Sequence, residues 1–152
     1  MIKHVNDSTF PHELKDEIAK LGLNGFHLTD FGGPGLSLHT IGACGYEAAK
    51  IDVSIGTFIA LHNCLGLQSI DLLGSDEQRE RFIPDALTFK KILGFALTEP
   101  DYGSDATSLK TSAKKVPGGY LLNGKKRWIG NATFDNSVVI VWARNEEDGV
   151  NI

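Results

Sequence analysis

The apolar positions of this chain recur with a helical period in its first half and alternate in its second. Pro11 to Leu21 places Leu14, Ile18 and Leu21 on one stripe, with Glu13, Lys15, Asp16, Glu17 and Lys20 elsewhere. That pattern predicts an amphipathic helix, with Gly22 as its C-cap. Ser37 to Ile51 opens a second helix with Ile41, Cys44 and Ala48 on one side. Asp52 is placed to cap a third, roughly Val53 to Leu73, whose apolar residues spread nearly all round and so predict burial among other elements. Ser75-Asp76-Glu77-Gln78 reads as a capping box in front of a helix reaching about Leu87, which Pro84 should kink or shorten. Asn24 to Gly35, rich in glycine, reads as a loop.

After Ile92 the period changes. Ile92 to Leu97 predicts a buried strand, ended by Pro100. Thr107 to Val116 predicts a strand with Leu109, Thr111 and Ala113 on one face, and Pro117-Gly118-Gly119 a turn into Tyr120-Leu121-Leu122. Asn123-Gly124 is the strongest short hairpin signal, with Lys125 to Gly130 continuing the sheet. Ser137 to Arg144 is a β-prone core strand. Consecutive short antiparallel strands after a helical region suggest a barrel or sandwich, here left open with an exposed edge.

Composition narrows the function classes. The chain has 152 residues, 41% hydrophobic and 22% charged, as in a soluble globular protein with a core. A net charge of −4 with scattered Lys and Arg argues against nucleic acid as a partner. The apolar run Val53 to Leu73 is broken by His62, Asn63 and Asp71, which argues against a membrane span. Cys44 and Cys64 have no CxxC spacing and read as core thiols of a reducing compartment, with a disulfide as the weaker option. The N-terminus carries no targeting pattern. The end at Ile152 closes no recognisable element, which raises the expectation of a piece of something longer.

Several motifs fall away on inspection. Gly32-Gly33-Pro34-Gly35 lacks the spacing of a phosphate loop. The five histidines do not pair at metal-ligand spacing, so no metal site is expected. No GxSxG elbow exists. His62 lacks an acidic or nucleophilic partner at useful spacing and reads as a satisfied core or rim histidine. Glu99 and Asp105 could form a carboxylate pair, but Glu99 before Pro100 reads rather as a turn or ion-pairing residue. Two segments at strand ends make the better site. Phe95 to Ser104 offers the Thr98 hydroxyl and close backbone approach at Gly103 and Ser104; Arg127 to Asn131 offers the flat face of Trp128. The set suits a planar heterocycle with polar edges.

Leu97-Thr98-Glu99-Pro100, Gly103-Ser104-Asp105 and Asn123-Gly124-Lys125-Lys126-Arg127-Trp128-Ile129 resemble, in order and spacing, the flavin-binding signature of the acyl-CoA dehydrogenase and acyl-CoA oxidase family. Ser75 to Arg79 before Phe82-Ile83-Pro84 is similar to the family's segment joining helical domain to barrel. Asp52 to Asn131 is similar in tone to plant-type peroxisomal short-chain acyl-CoA oxidases and to glutaryl-CoA dehydrogenases. The resemblance implies an α+β chain: an N-terminal all-helical domain (1–90), then an incomplete antiparallel β-barrel domain (91–152), with the C-terminal helical bundle absent. It implies FAD as cofactor, lined by Phe95, Ala96, Leu97, Thr98, Gly103 and Ser104, with Thr98 on the pyrimidine side and Trp128, Ile129 and Gly130 against the ring. Ser104 would also face the acyl-CoA substrate. Most members carry Thr or Ser where this chain has Gly130. The implied reaction is α,β-dehydrogenation of acyl-CoA thioesters in fatty-acid β-oxidation, in a homo-oligomer of peroxisome or mitochondrion. The family's catalytic glutamate belongs to the absent bundle, so no catalytic residue is assigned here and the fragment alone is expected to be inactive. The alternative is a non-catalytic interaction or regulatory module on the same scaffold.

Overall fold

A computed structural model describes residues 2–147. Its helices are α1 (Ile2–Asp7), α2 (Leu14–Lys20), α3 (Leu38–Ile51), α4 (Val53–Ala60), α5 (Gln68–Leu73) and α6 (Asp76–Leu87). A π-helical turn, Leu61–Leu67, joins α4 to α5, so the rod runs unbroken from Val53 to Leu73. The strands are β1 (Ile92–Ala96), β2 (Ser112–Val116), β3 (Gly119–Asn123), β4 (Ser137–Val141) and β5 (Arg144–Asn145).

The caps read from the sequence are present. Asp52 accepts from Ser54 N (2.9 Å) and Ile55 N (3.1 Å). Ser75 and Gln78 make the reciprocal bonds of a capping box, at 3.2 and 2.9 Å. One cap not read from the sequence is Ser37, which accepts from Thr40 N at the start of α3. Pro84 does not cut α6 short; the helix continues to Leu87. The six-residue α1 was not foreseen; it buries none of its side chains.

The Val53–Leu73 rod is long and apolar enough to cross a membrane by length and composition alone. In this fold one side of it faces the core, while Val53, Leu65, Leu72 and Leu73 are exposed, so the expected burial all round is only half met. Phe58, Ile59, Leu67 and Ile70 are buried along it, and Gly66 lies so close that a Cβ there would strike Leu93 of β1. The core divides in two along the rod: Phe58, Phe89, Ile92 and Phe26 at one end, Leu67, Ile70, Ile83, Leu93 and Leu28 at the other. The glycine-rich loop contributes Phe26 and Leu28 to these clusters, the latter 1% exposed.

The strands depart from the expected antiparallel meander, and the described residues show no closed barrel. β1 and β4 pair in parallel, Ile92 opposite Ser137 through Ala96 opposite Val141. β2 pairs antiparallel with β3 and parallel with β5. The reason is the long connection: a parallel pair needs a crossover, and everything between Leu97 and Asn136 supplies it. The hairpin turn is Pro117-Gly118, with Gly118 at φ 88°, as a Pro-Gly type II turn requires. Asn123-Gly124 makes no hairpin. Gly124 is pressed against Thr111, where any Cβ would collide, so close packing rather than turn geometry calls for glycine. Lys125 to Gly130 is irregular, not strand. Leu109, Thr111 and Ala113 do share a buried face, although a 3₁₀ turn, Ala106–Ser108, replaces the start of the expected strand. The core-thiol expectation fails for Cys64, which is exposed; Cys44 is half-buried, and both are free.

Candidate functional site at the end of strand β1

In a parallel pair, alternate residues of a strand point their amides at the neighbour. Ile92 N donates to Asn136 O and Ala96 O accepts from Trp142 N, so Ile92, Gly94 and Ala96 face β4. Leu93, Phe95 and Leu97 face the other way. The first rung of that free edge is occupied: Leu93 N donates to His62 Nδ1 (3.1 Å), and Leu93 O accepts from Asn131 Nδ2 (3.1 Å). Beyond it Phe95 N and O and the amides of Leu97 and Thr98 have no partner among the described residues. The edge thus opens where Phe95 to Thr98 begins.

The segment after β3 closes over this edge from one side. Arg127 N donates to Thr98 O at 3.0 Å. Gly130 and Gly94 meet backbone to backbone, a Cβ on Gly94 falling 3.0 Å from Gly130 O. Trp128 stands out into solvent, 79% exposed, with the Arg127 guanidinium over its ring at 4.3 Å. Of the residues predicted from the sequence, Phe95, Ala96, Leu97 and Thr98 are therefore brought beside Trp128, Ile129 and Gly130. Gly103 and Ser104 are exposed in the turn after Pro100 and share no hydrogen bond with the Lys126–Asn131 stretch among the described residues.

Glu99 holds the mouth in shape. Its carboxylate is 6% exposed and accepts from Lys110 N (2.7 Å), Thr111 N (2.8 Å) and Lys126 Nζ (2.9 Å). Burial pushes the carboxyl up, but the donors of Thr111, Lys110 and Lys126 outweigh it and hold the pKa down to about 2. Thr111 acts through its amide; its own Oγ1 is buried without a partner. Lys126 Nζ also donates to Leu97 O at 2.9 Å. Glu99 and Tyr102 close the turn between them by paired backbone bonds of 3.0 and 3.3 Å. A carboxylate so occupied does not take up a proton at neutral pH, so the acid/base reading of Glu99 with Asp105 fails and the ion-pairing one holds.

Residues outside the predicted cofactor wall do much of the positioning, and His62 is the satisfied core histidine that the sequence suggested. The wide π turn lets His62 and Asn63, adjacent in sequence, both point inward. His62 Nε2 donates to Ala86 O and Nδ1 accepts from Leu93 N, tying α6 to β1. Burial pulls its pKa down to about 4, which keeps the imidazole neutral. Asn63 accepts from Gly25 N (2.7 Å) and donates to Leu23 O and Ile59 O, fastening the glycine-rich loop. Lys126 and Asn131 fall inside the two stretches that the sequence singled out, but without a role of their own there.

Two concavities lie elsewhere. A cleft of about 640 Å³ opens between α2, α3 and α4, lined by Leu14, Leu21, Cys44, Ile51 and Ile55. Another of about 940 Å³ runs along β4 beside Leu73 and Phe82. Neither includes Thr98 or Trp128. Edge amides, a hydroxyl and an exposed indole, rather than cavity size, distinguish the mouth of β1.

Residues 2–90 match the family model "Acyl-CoA dehydrogenase, N-terminal domain", and residues 94–152 match "Acyl-CoA dehydrogenase, middle domain". The chain belongs to the acyl-CoA dehydrogenase family. Among similar proteins, mitochondrial isobutyryl-CoA dehydrogenase of Dictyostelium discoideum is 42% identical over 89% of this chain and 32% of its own length. An acyl-CoA dehydrogenase of Bacillus subtilis is 37% identical over 80% of this chain and 32% of its own length. Among solved structures, glutaryl-CoA dehydrogenase of Mycobacterium smegmatis in complex with FADH2 superposes with a TM-score of 0.89 at 32% identity, covering 97% of this chain and 38% of that one. The chain thus spans about a third of the length of the relatives it matches.

Proposed function

We propose that this chain is the helical and strand portion of an FAD-dependent dehydrogenase acting on the CH–CH bond of acyl-CoA thioesters. The observation that carries the reading is the free edge of β1, whose unpaired groups begin at Phe95, between the points where the Arg127–Asn131 segment is tied to it at Thr98 O and Leu93 O. The residues present fit a flavin ring. Unpaired amides at Leu97 and Thr98 and the Thr98 hydroxyl match the polar edge of a planar heterocycle, and Trp128, Ile129 and Gly130 supply a wall against its face. When bound, FAD supplies the two-electron acceptor that no amino-acid side chain provides.

The chain's own residues have positioning tasks in this reading. Glu99 and Lys126 fix the turn that presents Thr98; Arg127 N fixes the distance between the two walls. Gly103 and Ser104, exposed at the rim, are the residues that approach substrate and cofactor. No described residue is assigned as the base for the α-proton: Glu99 is spent on its donors, and Asp105 is exposed in the rim turn. The division into a helical part to residue 90 and a sheet part from 91 follows the change of element type. None of the relatives named above is an oxidase or a peroxisomal protein, and one is mitochondrial. Dehydrogenase chemistry and a mitochondrial setting are therefore the reading we carry, with acyl-CoA as substrate and self-association in the whole protein.

The test is to add FAD to the purified chain, then isobutyryl-CoA and glutaryl-CoA. Weak flavin binding without bleaching of the flavin absorbance is expected of these residues. A stoichiometric yellow complex that bleaches on adding either thioester would show that a base is present after all. No perturbation of the flavin spectrum or of the protein at saturating FAD would remove the flavin reading.

A further inference from the structure

Two residues bearing side chains hold left-handed backbone in the stretch after β3: Trp128 at φ 62° and Asn131 at φ 63°. Asparagine tolerates this conformation, since its short amide bonds to nearby backbone. Tryptophan does not. A bulky residue in that region is strained and persists only where its surroundings impose it. Burial of the indole does not impose it, because the ring lies in solvent.

The restraint comes from the two ends of the stretch. At one end Arg127 N is fixed to Thr98 O. At the other, Asn131 Nδ2 donates both to Leu93 O at 3.1 Å and to Phe58 O at 3.3 Å. One amide group therefore spans β1 and α4. Between the ends, the Leu61 side chain of the π turn fills the space a side chain at Gly130 would take, so the stretch packs against the rod on its inner side. With both ends tied and its inner side closed, the chain between them must bulge outward at Trp128.

We infer that Asn131 is a positioning residue, whose amide bridge from strand to helix forces Trp128 to present a flat indole face beside the open edge of β1. The inference rests on the reading that Phe95–Thr98 and Trp128–Gly130 receive a flavin ring, and it extends that reading from the wall to what sets the wall. It also gives the π turn a part in the site, since Leu61 and Phe58 in the helical half fix where the Trp128 wall stands.

The experiment uses the ¹⁵N-labelled 152-residue chain, unsubstituted and as Asn131→Ala, Asn131→Gly and Ser75→Ala. Trp142→Phe assigns the indole signals. Glycine keeps positive φ without strain yet donates nothing from a side chain, so it separates the bridge from the turn. Ser75→Ala removes a distant helix cap and controls for loss of stability alone. Each protein is titrated with FAD while the Trp128 amide and indole signals are followed. Both Asn131 variants are expected to move the Trp128 signals before ligand is added and to weaken FAD binding about tenfold; Ser75→Ala is expected to do neither. Trp128 signals unmoved by Asn131→Gly, or FAD affinity within about twofold of the parent, would overturn the inference. If the parent chain shows no response to FAD while the variants still displace Trp128, the bridge is upheld and the flavin reading falls. Should the variants fail to fold, the HN–Hα coupling of Trp128 in the parent decides: a value for extended backbone overturns the proposal, a left-handed one upholds the strained wall.

Discussion

Glu99→Gln removes one charge and almost no volume, yet it strikes the anchor of the proposed site. The parent carboxylate takes three donors at 2.7, 2.8 and 2.9 Å in a nearly closed environment. Glutamine offers one acceptor oxygen, and its NH₂ then faces groups that themselves donate. Lys126, only 12% exposed, loses its counter-ion. The carboxyl's fall from 4.5 to about 2 sets the scale. At roughly 1.36 kcal/mol per pKa unit it amounts to about 3 kcal/mol, in the range found when one partner of a buried pair is removed. For a chain of this size that lowers the melting temperature by about 6–12 °C. The sign follows from the depressed pKa: the contribution is complete above pH 4.5 and is lost as pH falls toward about 2. Urea titrations of parent and variant at a series of pH values are the assay. The difference between them should be steady above pH 4.5 and shrink steadily below it. Adding Lys126→Met should recover at least about 1 kcal/mol, since the unpaired cation is then gone. A difference below about 0.5 kcal/mol at neutral pH, or one that does not change on acidification, would refute the reasoning.

Three further outcomes follow from other contacts. His62 has its pKa pulled down to about 4 from 6.5, so the unfolded chain binds the extra proton and stability should fall as pH drops from 6.5 to 4; His62→Gln should flatten that slope in denaturation curves while costing about 2 kcal/mol at neutral pH through orphaned groups at Leu93 and Ala86. Gly130→Ala should destabilise by only about 0.5–1.5 kcal/mol, because its methyl meets the terminal Cδ1 of Leu61, which must turn off its rotamer to make room, and Leu61→Ala in the same chain should restore part of the loss in a double-mutant cycle. Ser75→Ala, which breaks the capping box of α6, should cost about 1 kcal/mol in thermal unfolding and leave the mouth of β1 unchanged.

Much of the helical half was legible because its signals are local. Asp52, Ser75 and Gln78 cap where the sequence places them, since a cap needs only residues within one turn. The strand half was legible in its elements but not in its pairing. Ile92–Ala96 and Ser137–Val141 read as strands from β-prone runs; that they pair in parallel depends on a crossover spanning the whole middle of the sheet region, which no local pattern encodes. Asn123-Gly124 misled because glycine serves two ends, turn conformation and close approach, and here Thr111 decides for the second. The site divides the same way. Thr98 and Trp128 stand out as chemistry at strand ends, and the resemblance to a flavin signature joined them. The clamps His62, Lys126 and Asn131 lie between 24 and 73 residues from the groups they bond, and such distances leave no trace in spacing.

The central claim is that the open edge of β1 and the Trp128 wall form one flavin-binding surface. An amide-resolved FAD titration of the ¹⁵N-labelled chain tests it most directly. Shifts concentrated in Phe95–Thr98 and Trp128–Gly130, moving together along one binding curve, are expected. Shifts confined to the cleft around Cys44 and Ile55 or to the groove along β4, with the mouth of β1 silent, would contradict it.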